Sequence, residues 1–279
     1  MGLVTPAVLP SSRKDLEEKL ALFARFPGVR RIQIDVVDGK FTAPASWPYS
    51  AEATKGTPYS AEATKGTPYS AEATKGTPYS AEATKGTPYT APKELREMVQ
   101  KDEMLPRLDC IEYEIDLMCL DAEDAAALWL ALGATRIIFH AESTIDLPRF
   151  LASARNRFGA GDGFAPGLIS YGLAINIASD SALLEPCLGE IQFVQFMGIA
   201  KIGQQGQAFD GRVVKKIREF KAKHPDVPVQ VDGGVTLASA SELLALNVNN
   251  LVVGSGILKA ADPLKAFTAF EALENSYGV

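Results

Sequence analysis

Short runs of apolar and β-branched residues alternate along the chain with longer segments that have helical spacing. The strand-like runs are Leu3–Leu9, Ile32–Phe41, Cys110–Met118, Arg136–Glu142, Leu168–Asn176, Phe193–Ile199, Val227–Gly234 and Asn250–Ile257. We expect Pro6 to break the first run, and Asp38-Gly39 to stop the second.

A helical segment follows each of these runs. The segments are a helix capped by Ser11 or Ser12 and running to Phe23, then Pro92–Lys101, Asp121–Leu132, Leu147–Phe158, a short helix after Ser179, Gly211–Lys223, Leu237–Leu246 and Pro263–Leu273. Eight strands alternating with eight helices predict an α/β fold, a single (β/α)8 TIM barrel over residues 1–279. A doubly wound open sheet is the alternative.

One connection breaks the alternation, because residues 47–91 form an insertion in the loop after strand 2. From Ser50 to Tyr89 the ten-residue unit SAEATKGTPY occurs four times without a change. Each unit has barely one helical turn and too few apolar residues for a core, which favours a weakly ordered insertion. The alternative is a small stack in which each Tyr packs on the Pro of a neighbouring unit. Either form would lie on the catalytic face of a barrel, as a lid or an interaction arm.

Composition narrows the class of protein. The chain has 279 residues, of which 47% are hydrophobic and 22% charged, and a net charge of −6. This balance predicts no nucleic-acid or membrane-surface partner, while leaving room for a phosphorylated small substrate. The three cysteines have no metal-finger spacing and are expected to be reduced. We see no signal peptide and no apolar run of membrane-spanning length, so a cytoplasmic location is predicted.

Three of the strand-like runs carry a carboxylate near their C-terminal end. Alternation places Gln33 and Asp35 on one face of their strand, Asp116 and Met118 on one face of theirs, and Asp232 on the seventh. A buried carboxylate is costly without a partner, so each is either a solvated strand end or a working group. The C-terminal ends of parallel strands lie together, and barrel active sites are built there.

The last two strand ends also suggest a phosphate site. Gly233-Gly234 and Gly254-Ser255 expose backbone N–H groups near helix starts, where barrel enzymes commonly bind phosphate. Ordinary turn chemistry is the alternative explanation for these glycines.

Taken together, these segments resemble the ribulose-phosphate 3-epimerase family over nearly the whole chain outside the repeats. The resemblance rests on IQIDVVDGKF, EIDLM, IIFHAE, GLAIN, FMGI with GQQGQAF, VQVDGGV and VVGSGI, in family order and spacing. It implies a (β/α)8 barrel that interconverts ribulose 5-phosphate and xylulose 5-phosphate, usually with a divalent metal. Asp35 and Asp232 match the two residues that remove and return a proton on opposite faces of the sugar.

The same resemblance assigns further residues. Met118 and Met197 match methionines that line the family's site, and His140 and Asn176 fall in matching motifs. The loop Gly203–Gln207, with Gly203, Gly206 and Gln207, stands in for the loop that adds phosphate donors. Homo-oligomeric assembly is expected because the family usually assembles.

The departures from the family pattern concern the metal. The family uses two His and two Asp, whereas Gln33 and Asp116 occupy the His positions here beside Asp35 and Asp232. Such an all-oxygen site is expected to prefer Mg²⁺ or Mn²⁺, or to bind no metal.

Ala7 also replaces a substrate-contacting Ser. Two alternatives therefore stay open: an epimerase of another ketose phosphate, such as a hexulose 6-phosphate, and a non-catalytic barrel that displays the repeats.

Overall fold

A closed barrel of eight parallel strands forms the centre of the molecule, which confirms the predicted TIM barrel. The computed structural model describes residues 3–49, 92–159 and 168–277. The strands are β1 (Leu3–Val8), β2 (Arg31–Val37), β3 (Glu112–Met118), β4 (Arg136–His140), β5 (Ser170–Ile175), β6 (Phe193–Met197), β7 (Val229–Asp232) and β8 (Asn250–Val253). Each strand pairs with the next, and β8 closes the barrel against β1.

Helices surround the barrel in the described part of the chain. They are α1 (Arg13–Phe23), α2 (Lys93–Gln100), α3 (Ala122–Ala131), α4 (Leu147–Phe158), α5 (Arg212–Lys223), α6 (Leu237–Leu244), α7 (Ser255–Leu258) and α8 (Pro263–Tyr277). A 3-10 helix, Ser181–Glu190, stands at the position of the predicted short helix after Ser179. Ser12, one of the two predicted caps, accepts the N–H of Asp15 at the start of α1. None of the described helices is long and apolar enough to cross a bilayer.

Three predicted boundaries were wrong. Pro6 lies inside β1, in register with Val253, while pairing with β2 begins only at Ala7; the missing N–H therefore does not end the strand. The eighth strand stops at Val253, and the rest of the apolar run forms α7. The last helix continues to Tyr277 rather than ending at Leu273.

The repeats Ser50–Tyr89 lie outside the described residues, so their predicted order and role stay predictions. In sequence they fall between β2 and α2, where the insertion was predicted.

Alternation along each strand separates two environments. Ile32, Ile34 and Val36 on β2 face outward and join the main apolar core beneath the helices, together with Trp129 of α3. The residues between them, Gln33 and Asp35, face into the barrel and are buried there. The barrel interior therefore holds polar side chains at the end where β2 leads into the following loop.

Asp38 joins the turn after β2 to the end of β3. Its Oδ1 accepts the backbone N–H groups of Lys40 and Phe41, each at 2.7 Å, and its Oδ2 accepts that of Leu120 at 2.8 Å. The side chain is 1% exposed, so water does not replace these bonds readily.

We expect Asp38→Ala to lower the free energy of unfolding by about 3 kcal/mol, because three backbone donors lose their acceptor. Asp38→Asn keeps one oxygen and should lose less. Urea denaturation followed by circular dichroism measures both, with Asp109→Ala as control, since that side chain is 78% exposed. A loss no larger than the control's would show that the turn does not depend on Asp38.

Candidate active site

Three carboxylates meet inside the barrel at the C-terminal ends of the strands. Asp35 on β2 lies in register with Asp116 on β3, and Asp232 ends β7. One carboxylate oxygen from each lies within 4.8 Å of the other two. All three side chains are buried. Close, buried like charges repel each other, so this arrangement requires protons or a cation.

Gln33 bridges two of these carboxylates. Its Nε2 donates to Asp35 Oδ1 at 2.8 Å and to Asp232 Oδ2 at 3.2 Å. Its Oε1 is buried and has no hydrogen-bond partner among the described residues. A buried amide oxygen without a donor, beside three carboxylates, is a suitable ligand for a hard cation. The four predicted metal-site residues are thus neighbours in the structure.

Asp116 is held in place by two further side chains. His140 Nε2 lies 2.9 Å from its Oδ1, and Gln195 Nε2 donates to its Oδ2 at 2.9 Å. His140, predicted to line the site, is fully buried and contacts Asp116 instead of the cleft. Gln195 was not predicted from the sequence, although it lies two residues before Met197 and therefore shares the inward face of β6. Both residues orient a carboxylate within the cluster.

Burial and mutual repulsion change the proton affinities of the cluster. Burial, reinforced by the charges of Asp232 and Asp116, raises the pKa of Asp35 well above its usual range. Burial, with the charge of Asp116, raises the pKa of Asp232 to about 7. Burial alone would lower the pKa of His140, but the contact with Asp116 outweighs it and the net shift is upward. At neutral pH the cluster therefore retains protons that free aspartates would lose.

This shift gives the metal-free protein a pH-dependent stability. The Asp232 carboxyl ionises near 3.8 when unfolded and near 7 when folded, so the folded state holds the extra proton between these values. We therefore expect the free energy of unfolding to fall as pH rises from 4 to 7. Urea denaturation in chelator should show a steeper fall for the wild type than for Asp232→Asn. Parallel profiles for the two proteins would contradict the shift.

The cleft above the carboxylates is formed by three loops and the strand ends. Asp35 and Asp232 line it together with Ala7, Met118 and Met197. The predicted phosphate-site residues all border the same cleft: Gly203, Gly206, Gln207, Gly233, Gly234, Gly254 and Ser255. The structure thus brings the predicted acid–base pair and the predicted phosphate loops to one place.

The turn after β7 requires glycine. Gly233 and Gly234 have φ values of +106° and +67°, which side chains rarely adopt. A Cβ on Gly234 would lie 2.6 Å from the backbone nitrogen of Phe209. Close packing between the loops after β6 and β7 therefore depends on this residue, whether or not its N–H binds a ligand.

Gln205 lies within the predicted loop Gly203–Gln207 without an assigned role, and it borders the cleft. Its Nε2 lies 3.5 Å from the carbonyl oxygen of Ala7, and the same side chain favours the ionised form of Asp35, which acts to lower the pKa of that carboxyl. A Cβ on Gly254 would come within 2.7 Å of the same nitrogen. The loop after β6 thereby reaches across the barrel to β1, β2 and β8.

Asn176 and Lys201 lie apart from the cleft lining. The Asn176 N–H donates to Glu142 Oε1 at 2.8 Å, and its carbonyl accepts from Lys216 Nζ at 2.5 Å. Lys201 is exposed on the loop after β6. A direct role for Asn176 in lining the site stays a prediction.

Sequence comparison relates the chain to a known family. A model of the ribulose-phosphate 3-epimerase family matches residues 97–258, more than half of the chain. The chloroplastic ribulose-5-phosphate-3-epimerase of Arabidopsis thaliana is 28% identical over 177 residues, covering 61% of this chain and 59% of the relative. A ribulose-phosphate 3-epimerase of Buchnera aphidicola is 27% identical over 150 residues, covering 52% of this chain and 61% of the relative. The match therefore spans about three fifths of each relative.

Among solved structures, KGPDC from Streptococcus mutans has a TM-score of 0.57 and 13% identity, covering 99% of both chains. At that identity the likeness extends to the barrel fold and no further.

Proposed function

The chain belongs to the ribulose-phosphate 3-epimerase family, and we propose that it interconverts D-ribulose 5-phosphate and D-xylulose 5-phosphate. The supporting observation is the position of Asp35 and Asp232, which share one cleft with the glycine-rich loops after β6, β7 and β8. Their carboxylates are buried and bridged by Gln33, so a sugar carbon entering there meets two proton-transfer groups.

The two carboxyl groups have complementary tasks. One aspartate removes the proton on carbon 3, next to the ketone, and leaves an enediolate. The other, carrying a proton, returns it to the opposite face of the same carbon. A pKa near 7 lets Asp232 hold or release a proton at neutral pH. The raised pKa of Asp35 makes its carboxylate a stronger base than that of a free aspartate. After one turnover the first aspartate carries the proton and the second is ionised. This is the arrangement that the reverse reaction requires.

The phosphate end of the substrate is assigned to the glycine-rich loops. Gly234 and Gly254 allow the loops after β6, β7 and β8 to pack closely around one end of the cleft. Backbone N–H groups in such loops donate to phosphate oxygens without adding side-chain bulk. Anchoring the phosphate there fixes how far carbon 3 reaches towards the aspartates.

Gln33 Oε1 and the carboxylates of Asp35, Asp116 and Asp232 would hold a divalent cation. All of these donors are oxygens, and they suit Mg²⁺ or Mn²⁺ better than Zn²⁺. Such an ion supplies polarisation of the ketone oxygen. His140 and Gln195 fix the orientation of the Asp116 carboxylate in either case.

A coupled assay on a panel of ketose phosphates, with metal analysis of the purified protein and parallel runs in chelator, tests this function. We expect turnover of ribulose 5-phosphate to exceed that of hexulose 6-phosphates. Faster turnover of a hexulose 6-phosphate would favour the alternative function, an epimerase of another ketose phosphate. The buried Ala7, which lines the cleft, is the observation that supports this alternative. Absence of turnover with every member of the panel would indicate a non-catalytic barrel. Cytoplasmic location and homo-oligomeric assembly stay predictions.

A further inference from the structure

A second cavity opens at the opposite end of the barrel. It encloses about 480 Å³ and is bordered by residues at the N-terminal ends of β2, β4, β6, β7 and β8. It shares no lining residue with the cleft. The ring of Phe193 lies across the barrel interior here, and a Cβ on Gly172 would meet that ring at 2.4 Å. The cavity is thus separate from the candidate active site.

Two side-chain amides at this cavity have their oxygens engaged and their NH2 groups left over. Gln192 Oε1 accepts the backbone N–H of Tyr171 at 2.6 Å, and Asn249 Oδ1 accepts that of Val229 at 2.9 Å. These bonds fix which end of each amide faces the backbone. Neither NH2 group has an acceptor within hydrogen-bond distance in the part of the chain that the structure describes, and both residues are exposed.

Three guanidinium groups add further donors. Arg31 pairs with Glu112 at 2.6 Å, and Arg136 Nε donates to Glu114 Oε2 at 2.7 Å. A guanidinium has five N–H donors, so each pairing leaves several for a ligand. Arg30 borders the same cavity and has no ion pair within 4.0 Å among the described residues. Its positive charge nevertheless acts on the Glu271 carboxyl in the direction that lowers its pKa. The positive charge of the lining is therefore only partly compensated.

Two side-chain amide oxygens and two backbone carbonyls that border the cavity already accept hydrogen bonds. Gln230 Oε1 accepts from Asn250 Nδ2 at 2.9 Å, and Asn250 Oδ1 accepts from Thr5 Oγ1 at 3.0 Å. The backbone carbonyls of Arg30 and Pro228 accept the N–H groups of Glu112 and Val194, at 2.8 and 2.9 Å. A lining of spare donors with engaged acceptors selects for an anion.

We propose that this cavity, bordered by Arg30, Arg31, Arg136, Gln192 and Asn249, binds the phosphate group of a small metabolite. Donors reach it from several strands, and a tetrahedral phosphate accepts hydrogen bonds from several directions at once. A volume of about 480 Å³ exceeds that of phosphate alone, which leaves room for the organic part. The inference does not rest on the proposed epimerase activity.

Two isosteric substitutions test the site. Gln192→Glu and Asn249→Asp keep the oxygen that accepts the backbone N–H and replace each NH2 donor by a negatively charged acceptor. Inorganic phosphate is titrated calorimetrically at constant ionic strength into the full chain carrying Ser255→Asp. This substitution places a negative charge at the proposed phosphate end of the cleft. We expect one phosphate to bind, and the added double substitution to weaken its association by more than about tenfold.

Arg30→Gln supplies an independent test, because Arg30 is exposed and the change does not strand a buried carboxylate. Arg30→Gln should weaken the association of phosphate about fivefold. Arg25 is an exposed arginine that does not border the cavity, so Arg25→Gln should leave phosphate binding unchanged. Thermal unfolding confirms that each variant is folded. Loss of all phosphate binding in Ser255→Asp alone, or equal binding by the Arg30→Gln and Arg25→Gln variants, would overturn the proposal.

Discussion

Replacing Asp232 by Asn is expected to lower kcat for epimerisation about a thousandfold, and replacing Asp35 by Asn should have an effect of the same order. An amide has nearly the shape of a carboxyl group but neither accepts the carbon-bound proton nor returns one. Both side chains are buried and bridged by Gln33, so Asn should keep the packing while removing the chemistry. Initial rates with ribulose 5-phosphate at saturating concentration measure the loss.

Asp226→Asn is the matched control for these variants. Asp226 is exposed and precedes β7, the same strand that ends in Asp232. The identical chemical change at the other end of that strand should leave kcat within about twofold of wild type. If either active-site variant retained a tenth of the wild-type kcat, its assigned role in proton transfer would be wrong.

The second large effect concerns a divalent cation. Three buried carboxylates within 4.8 Å repel each other, and Gln33, whose amide contacts two of them, has a buried Oε1 with no partner among the described residues. Mg²⁺ or Mn²⁺ bound there relieves the repulsion in the folded state only. At a hundred times the dissociation constant, such an ion should stabilise the protein by about 2.7 kcal/mol. Differential scanning calorimetry of chelator-treated protein, with and without added Mn²⁺, measures the shift in Tm.

The same calorimetry on Asp116→Asn should show most of this stabilisation lost, since one charged ligand is removed. The Asp226→Asn control should respond to Mn²⁺ like the wild type. A Tm that neither Mg²⁺ nor Mn²⁺ changes in the wild type would contradict a cation site at the cluster, whatever the protein's activity.

Alternation along the strands is the reason that much of this site was predictable. A strand has a period of two, so the positions of Gln33 and Asp35 within β2 fix the face on which they lie. The closed parallel barrel then brings the ends of β2, β3 and β7 together, and Asp116 and Asp232 with them. The two glycines after β7 indicated a turn with positive φ values, which glycine adopts more readily than other residues.

Other features depend on contacts that sequence spacing does not encode. Gln205 belongs to a loop whose path is set by β1, β2 and β8, so its approach to Asp35 had no local signal. The boundary between β8 and α7 lies within a continuous apolar run, where strand and helix patterns are indistinguishable. The position of Gln195 was a usable signal, because a polar residue two positions before the inward-facing Met197 must face into the barrel on this buried strand.

Hydrogen exchange at carbon 3 tests most directly whether Asp35 and Asp232 act on one carbon from opposite sides. The reaction is run in D2O and both epimers are examined by proton NMR. The wild type should place deuterium at carbon 3 of both epimers, while each single Asn variant should exchange at most one epimer and interconvert neither. A wild-type product that keeps its hydrogen at carbon 3, or interconversion by both single variants, would contradict the two-aspartate account.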